Sequence, residues 1–174
     1  MMVNTMRFGA IEVDERQIFE FSKGLPGFHA ERRFAFLPHD AGENEKPNFA
    51  YLQSLSTPEL TFLLADPFAF FPDYEFTVDD ATEESLGSSA ANLPMVWSIA
   101  MIPDKVENMT INLVAPVLFN LENHKATQLI LDNNKYSTRH RIFSDDIRER
   151  MTDAPKEQKS GEVSQDAGTE PQNK

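Results

Sequence analysis

Two carboxylates in the middle of the chain have the spacing of a general acid and base. Asp73 and Glu75 flank Tyr74, so in an extended segment both side chains face the same way. Neighbouring carboxylates at a strand end are usually solvated, and neither a histidine nor a metal ligand stands beside these two in the sequence. We therefore interpret the pair as surface charge. The alternative is a small barrel enzyme that uses Asp73, Glu75 and His140 on an unknown substrate.

The other residue types that support catalysis lack the spacing it requires. The chain has no cysteine, which excludes disulfides, thiolate metal sites and thiol nucleophiles. No serine lies in a Gly-x-Ser-x-Gly elbow, and Gly24 and Gly27 form neither a phosphate-binding loop nor a dinucleotide fingerprint. The histidines are far apart and lack the i+4 spacing of a helical metal site; they are His29, His39, His124 and His140. We expect surface histidines, no metal, no cofactor and no enzymatic activity.

The most unusual segment, Pro67 to Phe76, carries five aromatic rings between and after two prolines. Proline fixes φ and cannot donate a ladder hydrogen bond, so we predict a rigid loop whose rings cannot all point inward. Rigid exposed rings beside acidic groups favour a protein-binding site. The candidate anchors are Phe70, Phe71 and Tyr74, with Asp73 and Glu75 setting the charge preference. A loop that caps the core with its own rings is the alternative.

The charge balance bears on possible partners. The net charge is −12, from 28 acidic against 16 basic residues, so the protein should repel polyanions such as RNA, DNA and acidic membranes. We expect no direct nucleic-acid binding. No basic leader precedes an apolar run, and no stretch is long enough to span a bilayer. These features predict a soluble cytoplasmic protein with no membrane association.

Short apolar clusters broken by Pro, Gly, Asn and Asp predict many strands joined by turns, typical of an all-β barrel or sandwich. The predicted strands are Thr5 to Val13, Gln17 to Phe21, Arg33 to Leu37, Phe49 to Gln53, Leu60 to Ala65, Met95 to Ile102, Thr110 to Val114, Val117 to Asn120 and Thr127 to Leu131. Between Thr110 and Val114 apolar and polar residues alternate, which places Asn112 on the outer face.

Two short helices are predicted. One runs from Asp79 to Leu86, with Asp80 and Glu83 at capping-box spacing and a stop at Gly87. The other runs from Ser144 to Met151, with Ser144 as N-cap. Residues 152–174 have too few apolar side chains to offset chain entropy, so we expect a disordered tail. We divide the chain into a folded domain, residues 1–143, and a short helix with a polar tail, residues 144–174.

The sequence resembles the FliW family of flagellar assembly factors over Met6 to Phe143. The blocks that carry the resemblance are FSKGLPGF from Phe21, YLQS from Tyr51, DPFAFFPDYEF from Asp66, MTINLVAPV from Met109, and QLIL from Gln128 leading to Tyr136, Arg139 and His140. Separate blocks in the right order are unexpected by chance. The residues after Ser144 lie outside the resemblance.

The resemblance implies a small, closed or partly open β-barrel that binds two alternative partners in the cytoplasm. One is flagellin, and the other is CsrA, an RNA-binding repressor of flagellin translation that such proteins sequester. We add Asn112, Arg139 and His140 to the partner-binding candidates and expect a monomer. A dedicated flagellin chaperone without repressor binding is the second reading, which sequence alone does not separate from the first.

Overall fold

The computed structural model describes residues 1–40, 42–132 and 135–151. The chain divides into two compact units. The first comprises Met1–Met101 and Ile111–His140, and the second comprises Ile102–Thr110 and the described residues from Arg141 to Met151. The predicted disordered tail, residues 152–174, lies outside the described residues.

The strands are short and follow one another closely. In chain order they are β1 (Met2–Thr5), β2 (Gly9–Glu12), β3 (Ile18–Phe21), β4 (Arg33–Pro38), β5 (Phe49–Ser54), β6 (Thr61–Ala65), β7 (Met95–Met101), β8 (Thr110–Ile111), β9 (Val117–Phe119), β10 (Lys125–Gln128) and β11 (His140–Arg141). The helices are α1 (Pro67–Phe70), α2 (Asp80–Leu86) and a helix over 145–151, with 3-10 turns at Glu15–Gln17 and Val106–Asn108.

A closed β-barrel forms the centre of the first unit. Its strands pair in the order β7-β6-β5-β4-β3-β10-β9, and β9 pairs back onto β7 to close the ring. Every pairing is antiparallel except that between β10 and β3. Closure removes the unpaired edges that an open sheet of this size would expose. The prediction of a mostly-β barrel is confirmed.

Alternate residues of the barrel strands fill its interior. In β4, Phe34 points into this core while its neighbour Ala35 faces the other side. Phe19 and Phe119 meet edge to face there, with ring centroids 5.0 Å apart. The buried interior side chains are Phe19, Phe21, Leu25, Phe34, Ala50, Leu52, Leu64, Trp97, Val117, Phe119 and Ala126.

The prediction of one strand from Thr5 to Val13 is wrong, because the segment folds into the hairpin β1–β2. The Thr5 hydroxyl donates to the Gly9 carbonyl (2.8 Å) and accepts from the Phe8 amide (2.7 Å), which closes the turn. Gly9 has φ +73°, a left-handed conformation that few side chains adopt. The hairpin buries Val3 against the outer side of the barrel, together with Val13, Ile18 and Ala35.

Two further strand predictions needed correction. The predicted strand Thr110 to Val114 ends at Ile111, because the Asn112 side chain turns the chain. The strand predicted from Thr127 begins at Lys125 and ends at Gln128.

The predicted helix that stops at Gly87 is confirmed, with Gly87 at φ +76°. Its N-cap is Asp79, which makes no side-chain capping bond, so the predicted capping box is wrong.

The second unit is described up to residue 151. In it the Asp104 carboxylate accepts from the Lys105 amide (2.7 Å) and the Asn108 side chain (2.8 Å). The predicted helix is present over 145–151, and the Arg148 amide donates to the Ser144 carbonyl at 2.8 Å. The Ile147 amide donates to the Ser144 hydroxyl at 3.4 Å, which confirms Ser144 as the N-cap.

Candidate protein-binding site

The aromatic segment begins with a turn of helix and not with the predicted loop. Asp66 is the N-cap, and its carboxylate accepts from the Phe68 amide at 3.0 Å. Pro67 occupies the first helical position, where a missing N–H costs nothing and a fixed φ assists the turn. The Phe71 amide then donates to the Pro67 carbonyl at 2.8 Å. This helical turn fixes the backbone and so sets the direction in which the rings of Phe68 and Phe70 point.

The rings of this segment divide into buried and accessible ones. Phe68 is 42% exposed, whereas Phe70 and Phe71 are half-buried. Phe70 lies against Phe49 with centroids 5.5 Å apart. Phe71 meets the His140 ring edge to face at 4.7 Å. Phe68 is therefore the most accessible ring, and it was not among the anchors predicted from the sequence.

Tyr74 is a structural residue, contrary to its interpretation as a partner anchor. It is 4% exposed, and its hydroxyl donates to the Leu113 carbonyl at 2.7 Å. Burial, with a smaller contribution from Tyr136, raises the pKa of Tyr74. Its ring packs against Phe68 (5.6 Å), Phe76 (5.4 Å) and Tyr136 (4.8 Å between centroids). A partner cannot reach this side chain, so the capping alternative is right for Tyr74.

Tyr136 holds the end of the segment in place. Its hydroxyl accepts from the Glu75 amide (3.0 Å) and donates to the Glu75 carbonyl (3.1 Å). The Lys135 ammonium lies 3.7 Å from the Glu75 carboxylate. A cleft of about 600 Å³ opens here, lined by Glu75, Phe76, Thr77, Leu131, Asp132, Lys135 and Tyr136. The sequence blocks include Tyr136 but did not indicate its role. That role depends on the backbone of Glu75, 61 residues away, and no local sequence pattern reports such a contact.

The remaining candidates have different surroundings. The Asn112 side-chain oxygen accepts from the Val114 and Ala115 amides, both at 3.1 Å, so this half-buried residue is a turn former. Its expected outward position on a strand is wrong. Arg139 is exposed, and the half-buried His140 beside it supports Phe71. The structure thus brings Phe71 and His140 together, with Arg139 adjacent.

The groups of the enzyme alternative are engaged separately. Asp73 is exposed to solvent, the Glu75 carboxylate pairs with Lys135, and the His140 ring packs on Phe71. Within the described residues, no three His, Asp or Glu side chains are grouped to hold a metal ion. This arrangement fits a surface for contacts better than a proton-transfer site.

Acidic residues alternate with the rings and follow them along the chain. Between Asp66 and Glu84 the chain has seven acidic residues and no lysine or arginine. Asp73, Glu75, Asp79, Asp80 and Glu84 are exposed. We call residues 66–84 the acidic aromatic segment. It combines accessible apolar area with negative charge, which suits a basic protein surface.

Comparison with known proteins identifies the family. The family model described as FliW protein matches residues 2–142. The chain belongs to the FliW family. A flagellar assembly factor FliW from Desulfitobacterium hafniense (strain Y51) is 41% identical over 145 residues, covering 83% of this chain and 93% of the relative. Those from Heliobacterium modesticaldum and Geobacillus thermodenitrificans are 39% and 37% identical, covering 82% and 84% of this chain and 91% and 99% of the relatives.

A solved structure agrees with the sequence match. The crystal structure of a flagellar assembly factor FliW superposes with a TM-score of 0.72 at 35% identity, covering 83% of this chain and 98% of that one. The resemblance stated from the sequence blocks is therefore confirmed. Every candidate site residue lies inside the part matched by the FliW model. Among the helices of the described residues, none has the length and apolar content to cross a membrane.

Proposed function

We propose that this protein is a cytoplasmic flagellar assembly factor that acts by binding two alternative partners, flagellin and a CsrA-like RNA-binding repressor. Membership of the FliW family, whose relatives are named flagellar assembly factors, supports the general role. Binding of the repressor keeps it from its RNA, and unexported flagellin releases it by claiming the same protein. Flagellin synthesis is thereby coupled to flagellin export.

The acidic aromatic segment is the observation that supports a binding role most directly. Its turn is fixed by Asp66 and Pro67, so its accessible rings lose little conformational entropy when a partner binds. An RNA-binding repressor needs basic surface to hold phosphates, and from residue 47 to residue 104 this chain has no lysine or arginine. Opposite charge favours the encounter and selects the partner.

A flagellin chaperone that never meets the repressor is the second candidate. It would use the same accessible rings to cover apolar flagellin surface, but it has no need for the surrounding carboxylates. The exposed positions of Asp73 and Glu75 beside these rings favour the two-partner function. His140 packs on Phe71, so His140 and its chain neighbour Arg139 are assigned to the same contact.

The contact residues are tested by Phe68→Ala and Phe71→Ala, each assayed for thermal unfolding and for affinity to purified flagellin and repressor. Phe68 is 42% exposed, so its loss should weaken binding of at least one partner by about 2 kcal/mol with little change in melting temperature. Phe71 is half-buried, so Phe71→Ala should lower both the affinity for a partner and the melting temperature.

The matched control is Phe8→Ala. Phe8 is 37% exposed and rests edge to face on Tyr51 at 5.2 Å, outside the acidic aromatic segment. This variant should bind both partners normally. Wild-type affinity of folded Phe68→Ala and Phe71→Ala for both proteins would place the contact elsewhere on the molecule.

A further inference from the structure

A second surface of opposite charge lies in the connection between β3 and β4 and at the first residue of β4. We call residues 22–33 the basic loop. It carries three positively charged residues, Lys23, Arg32 and Arg33, and one negatively charged residue, Glu31. The chain as a whole has a net charge of −12. Lys23 and Arg33 are exposed, as is Arg32. Within residues 1–40, 42–132 and 135–151 none of these three cations forms an ion pair.

The single carboxylate of the loop is already engaged. Glu31 accepts hydrogen bonds from the hydroxyls of Ser54, at the end of β5, and of Ser56 (3.1 Å) and Thr57 (2.6 Å), on the connection that follows. These bonds, that from Ser54 first, lower the pKa of Glu31 and keep it ionised. Because its oxygens face these hydroxyls, Glu31 is not paired with its neighbour Arg32. Glu20 lies opposite Arg33 in the pairing of β3 with β4, but within the described residues the two form no ion pair. The positive charge of the loop is therefore available to a partner.

The loop is held in one conformation. The Phe28 amide donates to the Leu25 carbonyl at 2.7 Å, and Leu25 is 1% exposed within the barrel core. The Arg32 guanidinium donates to the carbonyls of His29 (2.8 Å) and Ser22, leaving its other N–H groups for further bonds. A surface fixed in this way loses little entropy on binding.

An accessible aromatic ring lies on the same loop as these cations. Phe28 is 40% exposed, and its ring meets that of Phe62 in a T-shaped contact with centroids 5.4 Å apart. Lys23 and His29 lie on the same loop, and the His29 ring nitrogen Nδ1 is 3.4 Å from the Lys23 carbonyl. Along the chain, the loop thus carries one accessible apolar ring with Lys23 before it and Arg32 and Arg33 after it.

We propose that the basic loop docks an acidic segment of another polypeptide. Carboxylates of that segment pair with Lys23 and Arg33 and with the remaining N–H groups of Arg32, while an apolar side chain between them covers Phe28. A nucleic acid fits less well, because it needs a track of cations along its backbone and is opposed by the net charge of −12. The site shares no residue with the acidic aromatic segment and does not depend on the proposed function.

The test selects a displayed random peptide library on the full-length protein. The recovered sequences should be enriched in Asp and Glu beside Phe, Leu or another large apolar residue. The best peptide is then synthesised and titrated against wild type, Lys23→Glu, Arg33→Glu and Phe28→Ala, after thermal unfolding has shown each variant to be folded. Each variant should weaken binding by about tenfold or more, since charge pairs and buried rings dominate such contacts.

Lys46→Glu is the matched control. Lys46 is exposed and lies on the connection after β4, a strand whose far end, Pro38, is about 17 Å from Arg33. The same charge reversal there should change affinity less than about twofold, because screening at physiological salt weakens charge effects beyond ~8 Å.

Four results would overturn the proposal. They are a library with no acidic enrichment, a selected peptide that binds Arg33→Glu and Lys23→Glu as well as wild type, an equal loss in Lys46→Glu, and tighter binding of a single-stranded RNA oligonucleotide than of the peptide. The last result would mean phosphate recognition in place of peptide docking.

Discussion

At the scale of the residue, Tyr74 shows how one side chain links the candidate site to the barrel. Its hydroxyl satisfies the Leu113 carbonyl, and its ring is the common neighbour of Phe68, Phe76 and Tyr136. Buried polar groups cost free energy when their partner is removed, so this bond is worth more to the fold than an exposed one. The accessible ring of Phe68 therefore packs on a buried tyrosine that is held in place by a hydrogen bond.

We predict that Tyr74→Phe lowers the free energy of unfolding by about 1–3 kcal/mol, because the Leu113 carbonyl loses its donor in a buried place. Tyr136→Phe is the matched control: it also removes a hydroxyl that contacts backbone, but the bonded Glu75 groups are exposed and water can replace it. Urea denaturation of both variants measures the difference. Equal losses would contradict the role of Tyr74.

The same residue predicts a dependence on alkaline pH. Burial raises the pKa of Tyr74 above its unfolded value of about 10, so its contribution is fully present below that pH and is lost as pH rises through the folded pKa. Wild type should lose stability more steeply above pH ~10 than Tyr74→Phe. Parallel curves would mean that Tyr74 ionises as easily in the folded protein as in the unfolded chain.

At the scale of the element, the strand and helix bounds predicted from the sequence were accurate or wrong according to the kind of turn beside them. Strands such as β5 and β6 were predicted within a residue or so, since their apolar runs are bounded by Pro, Asn or Asp. The misses lie where side chains close turns. Thr5 and Asn112 each bond nearby backbone groups, and Asp66 with Pro67 starts a helix where prolines favoured a loop.

The acidic aromatic segment was found from its composition, but the direction of its rings was not. Which ring is buried depends on contacts with distant residues, such as Leu113 for Tyr74 and Phe49 for Phe70. Periodicity within a short irregular segment carries no information about such neighbours. The anchors predicted from the sequence were therefore only partly the accessible ones.

The basic loop gives an element-scale prediction with a built-in control. Gly24 (φ +64°) and Gly27 (φ +85°) are both left-handed, but an added Cβ would lie 2.7 Å from the His29 Cα at Gly24 and would meet nothing within 4 Å at Gly27. Gly27→Ala should cost about 1–2 kcal/mol of stability from φ alone. Gly24→Ala should cost about 1–3 kcal/mol more because of the clash. Urea midpoints that coincide would contradict the close packing at Gly24.

At the scale of the whole molecule, charge is distributed unevenly along a chain whose net charge is −12. The acidic aromatic segment has no basic residue, while three cations are concentrated in the basic loop. Such separation lets a binding protein select partners of different charge, whereas catalysis would need titratable groups to converge. The distribution is consistent with a protein that works by changing partners.

The most direct test of that claim is competition between the two proposed partners. A complex of this protein with fluorescently labelled CsrA-like repressor is titrated with purified flagellin while fluorescence anisotropy reports the bound repressor. Partner exchange requires an unfavourable coupling between the two binding events, so flagellin should release the repressor in a dose-dependent way. The account would be contradicted if the anisotropy stayed unchanged at saturating flagellin. This would happen if flagellin joined the complex without releasing the repressor, or if flagellin did not bind at all.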